Sequence, residues 1–183
     1  VDAVGEAVDS LMLGDRVGLL SQHAFAEFDL ADANCVVKLP PELQGIPFPA
    51  EPLACAVNAF RRTRIHAGEC VAVVGAGFLG NVLIQLARSA GARVLAVSRR
   101  QSALDLAAAC GAEAVFSMND PGRVLADIQD LTHGEGCECV IECTGYQQPL
   151  DLASELVRVR GRLVIAGYHQ DGWRQLNLQS WNW

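Results

Sequence analysis

The chain has 183 residues, of which 51% are hydrophobic and 19% charged, a composition typical of a folded globular protein and not of a disordered one. The formal net charge of −7 argues against nucleic-acid binding as the main function, because no excess of cations would offset repulsion by a phosphate backbone. The most apolar stretch, residues 70–84, is too short to span a bilayer and contains three glycines, so no membrane partner is expected. The seven cysteines are odd in number and several lie in apolar runs, which favours reduced thiols and a cytoplasmic location.

Short β-like runs separated by turn residues are typical of the first forty residues. The runs are VDAVG (1–5), GDRVGLL (14–20), AFAEFDL (24–30) and CVVKLP (35–40). A proline-rich stretch follows, and then a predicted helix over residues 53–65. In this helix Leu53, Val57 and Phe60 recur at spacings of four and three, which is typical of an amphipathic helix.

Beyond this helix, predicted strands alternate with predicted helices. The strands are predicted over residues 70–75, 93–98, 113–117, 137–145 and 162–168. The helices are predicted over residues 78–91, 101–111, 120–134 and 148–161. Such alternation indicates βαβ units, so the predicted fold class is α/β, with a doubly wound parallel sheet of the Rossmann type.

A G-x-G-x-x-G motif lies between the first of these strands and the helix that follows, which is the setting typical of dinucleotide binding. In this interpretation Gly75 permits the tight turn, Gly77 lets a pyrophosphate approach the backbone, and Gly80 lets helix and strand pack closely. The amides of Phe78 and Leu79 would point at the pyrophosphate from the helix N-terminus. The alternative is a strand–helix turn that binds nothing.

The second of these strands ends in Ser98, Arg99 and Arg100, where a dinucleotide-binding unit usually carries an acid for the adenosine ribose. An acid there would repel a 2′-phosphate, whereas serine can donate to it and arginines supply planar forks suited to phosphate. The sequence therefore favours NADP(H), with NAD(H) as the alternative. Two solvated arginines at a helix start are the other interpretation, although cations are disfavoured at that end of a helix.

Six segments, in their order and spacing, resemble the medium-chain dehydrogenase/reductase family, the zinc-type alcohol and polyol dehydrogenases. They are VDAVGEAVDSLMLGDRV (1–17), AFAEFDLADANCVVKLPPEL (24–43), EPLACAVNAF (51–60), VAVVGAGFLGNVLIQLARSAGARVLAV (71–97), CVIECTG (139–145) and RGRLVIAGY (160–168). The resemblance implies two domains. Residues 1–45 would be part of a β-rich, GroES-like catalytic domain, and residues 46–183 a Rossmann NAD(P)-binding domain that lacks its final strand.

The resemblance also implies roles for individual residues. Glu51 resembles the glutamate that ligates, or lies beside, the catalytic zinc in polyol dehydrogenases, and Cys55 would lie near the nicotinamide. Two further pairs follow strands and would contact the cofactor: Thr144 and Gly145 on the adenosine side, and Gly167 and Tyr168 beside the nicotinamide.

The family's first zinc ligand, a cysteine, and its Gly-His-Glu motif are expected upstream of Val1, and a sixth strand is expected after the closing SWNW. The chain is therefore expected to be the central part of a longer protein. One carboxylate does not make a three-ligand zinc site, and no catalytic residue is assigned.

The resemblance favours an oxidoreductase that transfers hydride between the nicotinamide and a small-molecule alcohol or polyol, or its carbonyl product, with zinc assisting in the intact enzyme. The chain alone is expected to bind cofactor and to catalyse little. A zinc-independent quinone or enone reductase of the same fold and a non-catalytic nucleotide-binding module are the alternatives, and Glu51 in its EPL setting favours the first hypothesis. Family members are usually dimers or tetramers, so a homo-oligomer is expected.

Four other residues are weighed as ligands. Cys137, Cys139 and Cys143 lie on the predicted fourth strand, and period-two spacing places them on one face. Core thiols are favoured over a metal site, because zinc knuckles use C-x₂-C turns and not straight strands. His169 follows the fifth strand, at the end of the sheet where ligands bind, so it is a candidate for the pocket lining.

Overall fold

A computed structural model describes residues 1–19, 21, 23 and 26–181. Two compact units are present, Val1–Ala54 and Cys55–Trp183, and the boundary between them falls within helix α1 (Ala50–Thr63). The sequence-based division at residue 45, and the assignment of the first part to a GroES-like domain, stay predictions.

In the first unit, strands β1 (Val17–Leu19) and β2 (Val36–Lys38) pair antiparallel. An ion pair between Lys38 Nζ and Asp15 Oδ1, 2.7 Å long, lies beside this pairing, and it lowers the pKa of the Asp15 carboxyl. The guanidinium of Arg16 donates to the backbone carbonyls of Leu43 and Ile46.

The strands expected over residues 1–5 and 26–30 do not form. A strand needs a neighbour for its backbone groups, and β1 with β2 is the one pairing that the described part of this unit contains. Local hydrogen bonds replace a ladder, for example from the Leu30 amide to Asp29 Oδ1 and from the Asn34 amide to Asp32 Oδ1, both 2.8 Å long. Residues 20, 24 and 25 of the predicted strands lie outside the described residues.

The second unit contains a five-stranded, wholly parallel sheet in the order β5-β4-β3-β6-β7. Its strands are β3 (Cys70–Val74), β4 (Arg93–Ser98), β5 (Ala114–Ser117), β6 (Cys137–Glu142) and β7 (Val157–Ile165). This is the order of a doubly wound sheet, with the change of direction between β3 and β6. The predicted α/β fold class is confirmed.

Helices cover both faces of the sheet. They are α2 (Phe78–Ser89), α3 (Gln101–Ala109), α4 (Pro121–Leu131) and α5 (Gln147–Leu156). Helices α2 and α3 pack into one core cluster and α4 and α5 into the other, while residues of β3 and β4 alternate between the two. The predicted stops of α2 and α3 are confirmed, because Gly91 and Gly111 follow their C-caps with φ values of 85° and 102°, which favour glycine. Helix α4 ends at Leu131, three residues before the predicted Gly134, and His133 takes the left-handed conformation after its C-cap, with φ 55°.

The helix predicted over residues 148–161 is too long. Helix α5 ends at Leu156, and the backbone becomes extended at Val157, with φ −76° and ψ 133°. Val157 pairs with Cys137, and Arg162 pairs with Cys139, so the residues between them form an irregular start to β7. Two β-branched valines within VRVRG favour a strand, and pairing with β6 overrides the helical periodicity.

Within the described residues, every helix is too short or too polar to cross a membrane.

Candidate dinucleotide site

The carboxyl ends of four neighbouring strands surround one cleft of about 880 Å³ in the second unit. Its lining comes from the residues that follow β3, from the end of β4 and the two arginines after it, from the residues after β5 and β6, and from the first turn of α5. Ligands of doubly wound sheets bind at this edge, where the strand order reverses.

The glycines at the mouth of this cleft differ in what surrounds them. A Cβ on Gly75, whose φ is 108°, would lie 2.5 Å from Thr144 Cγ2. A Cβ on Gly80 would overlap the Gly75 carbonyl oxygen, so this glycine lets α2 pack against the turn. A Cβ on Gly77 would have no heavy atom within 4 Å among the described residues, which leaves the backbone there open to a ligand.

The helix that follows the turn is held against it. The Asn81 side chain donates from Nδ2 to the Ala76 carbonyl oxygen, 3.1 Å away, and its backbone amide donates to the Gly77 carbonyl. Helix α2 therefore begins directly at the cleft, with its first turn of backbone amides at the end where anions bind.

Ser98, Arg99 and Arg100 all line the same cleft as the glycine turn, at the end of the neighbouring strand. Both arginines are exposed, and within the described part of the chain neither guanidinium makes a hydrogen bond or an ion pair. Arg100 is the N-cap residue of α3, but its side chain makes no capping hydrogen bond. Among the described residues that form the cleft wall none is acidic, so the arginines leave it positively charged.

Six of the predicted cofactor residues come together in the cleft and six do not. Those that line it are Gly75, Gly77, Ser98, Arg99, Arg100 and Thr144. Those outside its lining are Phe78, Leu79, Gly80, Gly145, Gly167 and Tyr168. Phe78 and Tyr168 are exposed, whereas Gly145 and Gly167 lie where the loops after β6 and β7 touch each other. Cofactor contact by any of these residues stays a prediction.

Several lining residues escaped the sequence analysis: Met118, Tyr146, Gln148 and Pro149. Met118 follows β5, and the other three lie at the start of α5, so each follows or opens an element at the ligand-binding edge. In the sequence, only their positions close after predicted strands indicate that these residues could line a site, because they belong to no recognisable motif.

Glu142, the last residue of β6, is a fully buried acid that the sequence analysis also missed. Its Oε1 accepts hydrogen bonds from the backbone amides of Thr144 and Gly145, at 2.6 and 2.9 Å, and from the Thr144 hydroxyl. His169 does not line the cleft; its Nε2 lies 3.2 Å from Glu142 Oε2. These contacts join the loops that follow the fourth and fifth strands of the sheet.

The cysteines of β6 do not share one face. Cys137 packs in one core cluster, where its sulfur lies 3.7 Å from that of Cys70, and Cys139 packs in the other cluster. The register shift between Cys137 and Cys139 breaks the expected alternation. The contact with Cys70 and burial raise the pKa of Cys137, and burial raises that of Cys139 to about 11. Both are core thiols, as predicted.

The metal prediction rests on Glu51, which lies in the first turn of α1. Nowhere in residues 1–19, 21, 23 and 26–181 do three His, Cys, Asp or Glu side chains form a group that could hold a metal ion. The described residues therefore do not make a zinc site, and the role of Glu51 stays a prediction.

Comparison with known proteins gives relatives of greater length. The chain is 28% identical, over 137 residues, to 2-dehydro-3-deoxy-L-galactonate 5-dehydrogenase of Pseudoalteromonas atlantica, covering 70% of this chain and 40% of that protein. Alcohol dehydrogenase TADH from Thermus sp. ATN1 is 31% identical, with a TM-score of 0.68 over 79% of this chain and 42% of its own. A mycobacterial protein solved in complex with NADPH is 26% identical, with a TM-score of 0.80 over 100% of this chain and 58% of its own.

The chain thus spans well under two thirds of the length of these relatives. A family model described as zinc-binding dehydrogenase matches residues 79–180, which is more than half of the chain and includes most of the cleft wall. With the doubly wound sheet and its glycine turn, this match shows that the chain belongs to the zinc-binding dehydrogenase family.

Proposed function

We propose that the chain is the NADP(H)-binding part of an oxidoreductase that transfers hydride between the nicotinamide and an alcohol or polyol, or its carbonyl product. One observation carries the proposal: a single cleft brings together the glycine turn after β3 and the Ser98–Arg99–Arg100 segment after β4. The similar mycobacterial structure solved in complex with NADPH supports it.

The preference for the phosphorylated cofactor follows from the charge of the cleft. Arg99 and Arg100 have no partner within the described residues, so no existing ion pair must break before they bind a phosphate. Hydrogen bonds to charged groups contribute about 1.5–3 kcal/mol each. One good contact to the 2′-phosphate therefore favours NADPH over NADH by about tenfold to a hundredfold.

The remaining residues of the site would bind and orient the cofactor. Gly77 leaves room for the pyrophosphate, and the first amides of α2, those of Phe78 and Leu79, would face it. Thr144 and Gly145 would contact the adenosine side. When bound, the nicotinamide ring supplies or accepts the hydride.

The role of zinc belongs to the whole protein. Glu51 would ligate or adjoin a zinc ion there, a proposal supported by the family match and by its EPL setting. Because the described residues do not complete a metal site, no step of the reaction is derived through zinc.

The cytoplasmic location and the homo-oligomer are further parts of the proposal. Cys70, Cys137 and Cys139 are buried thiols in the core of the sheet, which supports a reducing compartment. Strand β7 is an edge of the described sheet, with exposed Val159 and Ile165, and such an edge pairs either with a further strand of the longer protein or with a second copy.

The experiment that tests the proposal is a titration of the purified chain with NADPH and, separately, with NADH, followed by the fluorescence of the bound nicotinamide. Adenosine 2′,5′-bisphosphate, which carries the 2′-phosphate without a nicotinamide, is the competitor, and 5′-AMP is its matched control. We expect NADPH to bind at least about tenfold more tightly than NADH, and the bisphosphate to compete where 5′-AMP does not.

Equal affinities for the two dinucleotides would contradict the NADP(H) assignment. The cleft would then be a dinucleotide site in which Ser98, Arg99 and Arg100, the proposed phosphate clamp, do not hold a 2′-phosphate. Failure of both to bind would contradict the site itself, and with it both the proposed function and the alternative of a non-catalytic nucleotide-binding module. Where NADPH binds, the intact protein, assayed with an alcohol series and a quinone series, separates alcohol oxidation from zinc-independent quinone reduction, and activity with neither series would favour the non-catalytic module.

A further inference from the structure

The loop after β6 (residues 143–146) and the loop after β7 (residues 166–174) lie against each other. A Cβ on Gly167 would lie 2.7 Å from Glu142 Oε2 and 2.8 Å from the Thr144 amide nitrogen, and a Cβ on Gly145 would overlap the Tyr168 carbonyl. Packing between the two loops therefore explains both glycines, with the Glu142 carboxylate enclosed between them.

Hydrogen-bond partners fix the protonation of the histidine in this contact. Arg174 Nε donates to His169 Nδ1 at 2.9 Å, and because arginine can only donate, Nδ1 must be the accepting nitrogen. His169 Nε2 then carries the proton and donates it to Glu142 Oε2, 3.2 Å away. The imidazole thus bridges Arg174 and the buried Glu142 carboxylate, with one hydrogen bond at each ring nitrogen.

A second hydrogen bond from the same arginine closes a ring. Its terminal nitrogen donates to the Gly145 carbonyl oxygen at 2.6 Å, and the Gly145 amide donates to Glu142 Oε1. The ring runs from Glu142 through His169 and Arg174 to Gly145 and back, so it ties the loop after β7 to the loop after β6. Arg174 also pairs with Asp171.

We propose that Glu142 and His169 are positioning residues for the nicotinamide half of the cofactor, because their hydrogen bond fixes the loop after β7 against the loop after β6. The inference rests on the proposed function and on the family resemblance, which implies that Gly167 and Tyr168 border the nicotinamide. Neither residue lines the cleft, and among the described residues Glu142 meets the adenosine side only through its Oε1 contacts with Thr144 and Gly145. A change that breaks the His169 hydrogen bond but keeps those contacts should therefore act on the nicotinamide half of the dinucleotide.

Glu142→Gln breaks the hydrogen bond between the Glu142 side chain and His169, and it leaves the hydrogen bond from Arg174 to the Gly145 carbonyl in place. The amide oxygen of glutamine can still accept from Thr144 and Gly145, but its NH₂ group would face the proton on His169 Nε2. We expect NADPH to bind at least about tenfold more weakly, while adenosine 2′,5′-bisphosphate, which reaches only the clamp, binds within about twofold of wild type.

Two substitutions of His169, in the loop after β7, test the same hydrogen bond from its other partner. His169→Ala should weaken NADPH binding as Glu142→Gln does. His169→Gln can donate to the carboxylate and accept from Arg174, so its NADPH affinity should lie within about threefold of wild type. These variants decide the question if the buried Glu142→Gln protein fails to fold.

Glu138→Gln is the matched control. Glu138 lies at the other end of β6, where Oε2 accepts from the Cys70 amide at 2.8 Å and Oε1 pairs with Arg158 at 3.0 Å. The Glu138→Gln variant carries the same chemical change on the same strand, away from the cleft. Its NADPH affinity should lie within about twofold of wild type.

Equal weakening of NADPH and the bisphosphate would overturn the inference, because the two residues would then support the fold as a whole. An unchanged NADPH affinity in Glu142→Gln or His169→Ala would also overturn the inference. The proposed function would still stand in that case, provided that the wild-type chain binds NADPH. A wild-type chain that binds neither dinucleotide would overturn the proposed function and the inference together.

Discussion

The carbonyl oxygen of Gly75 occupies the space that a Cβ on Gly80 would need, so the first turn of α2 rests directly on the turn after β3. Such a Cβ would also lie 3.0 Å from the Gly75 carbonyl carbon and 3.4 Å from Val73 Cγ1. Gly80→Ala should therefore push helix and strand apart and lower the free energy of unfolding by about 1–3 kcal/mol. Urea denaturation monitored by circular dichroism measures this change.

Gly122→Ala is the control for that measurement, because Gly122 also lies in the first turn of a helix, α4, with only Asp120 Oδ1 near its added Cβ, at 3.6 Å. Alanine favours the helix there, so stability should stay equal or rise. A Gly80→Ala protein as stable as this control would show that the close packing is not needed.

Gly77→Ala should have the opposite profile. Gly77 has φ −84° and ψ −161°, a backbone conformation open to alanine, and its added Cβ meets no described atom within 4 Å. Stability should stay within about 0.5 kcal/mol of wild type, since no packing changes. NADPH affinity should fall about tenfold or more, because the methyl group fills the space proposed for the pyrophosphate. Wild-type affinity in this variant would place the cofactor elsewhere.

The sequence predicts the sheet of the second unit well because its strands are mostly continuous apolar runs and two of its helices, α2 and α3, end just before glycines. Cys70–Val74 is buried at every position, as expected for a strand covered on both faces. The prediction of secondary structure is wrong where pairing with a neighbouring strand determines whether a segment is extended. Val157 continues a helical pattern in the sequence but pairs with Cys137, and residues 1–5 resemble a strand but have no neighbouring strand among the described residues.

The candidate site is predictable where a motif carries it and not where two distant loops meet. The glycine turn and the arginines after β4 follow from local sequence, because each lies beside its own strand. The contact of Glu142 with His169 joins residues 27 positions apart, and its partner Arg174 lies in an irregular segment without periodicity. Only the fold shows that these three side chains meet.

Replacing the arginines after β4 should change which cofactor binds. Arg99→Gln and Arg100→Gln each remove one exposed charge from the cleft that the glycine turn also lines. At least one of them should lower NADPH affinity about tenfold and leave NADH affinity unchanged, because only NADPH has the 2′-phosphate. Nicotinamide fluorescence titrations at low and high salt measure both affinities, and the loss should shrink at high salt.

Arg123→Gln is the matched control for the arginines, since Arg123 is an exposed residue of α4 that pairs with Asp127 at 3.5 Å. It removes one positive charge at a distance from the clamp and should keep the preference for NADPH. An equal loss in all three variants would mean that net charge alone, and not the clamp, attracts the phosphate.

The Cys143 thiol offers a chemical probe of the cleft. It lies in the wall, partly buried, and burial, with a smaller contribution from the charge of Glu142, raises its pKa above the usual thiol range. Because the thiolate is the reactive form, a raised pKa means little thiolate at neutral pH. Alkylation by iodoacetamide should therefore be slow at neutral pH and should rise about tenfold per pH unit, without levelling through about pH 9.

Bound NADPH should slow the alkylation of Cys143 further at any fixed pH, because the proposed cofactor covers this wall of the cleft. Cys35, which is exposed and belongs to the first unit, serves as the internal control, since its alkylation should not change with NADPH. Peptide mass spectrometry follows both residues in one sample. A Cys143 rate that levels near pH 8 would contradict the raised pKa, whereas a rate insensitive to saturating NADPH would show that the dinucleotide does not cover Cys143.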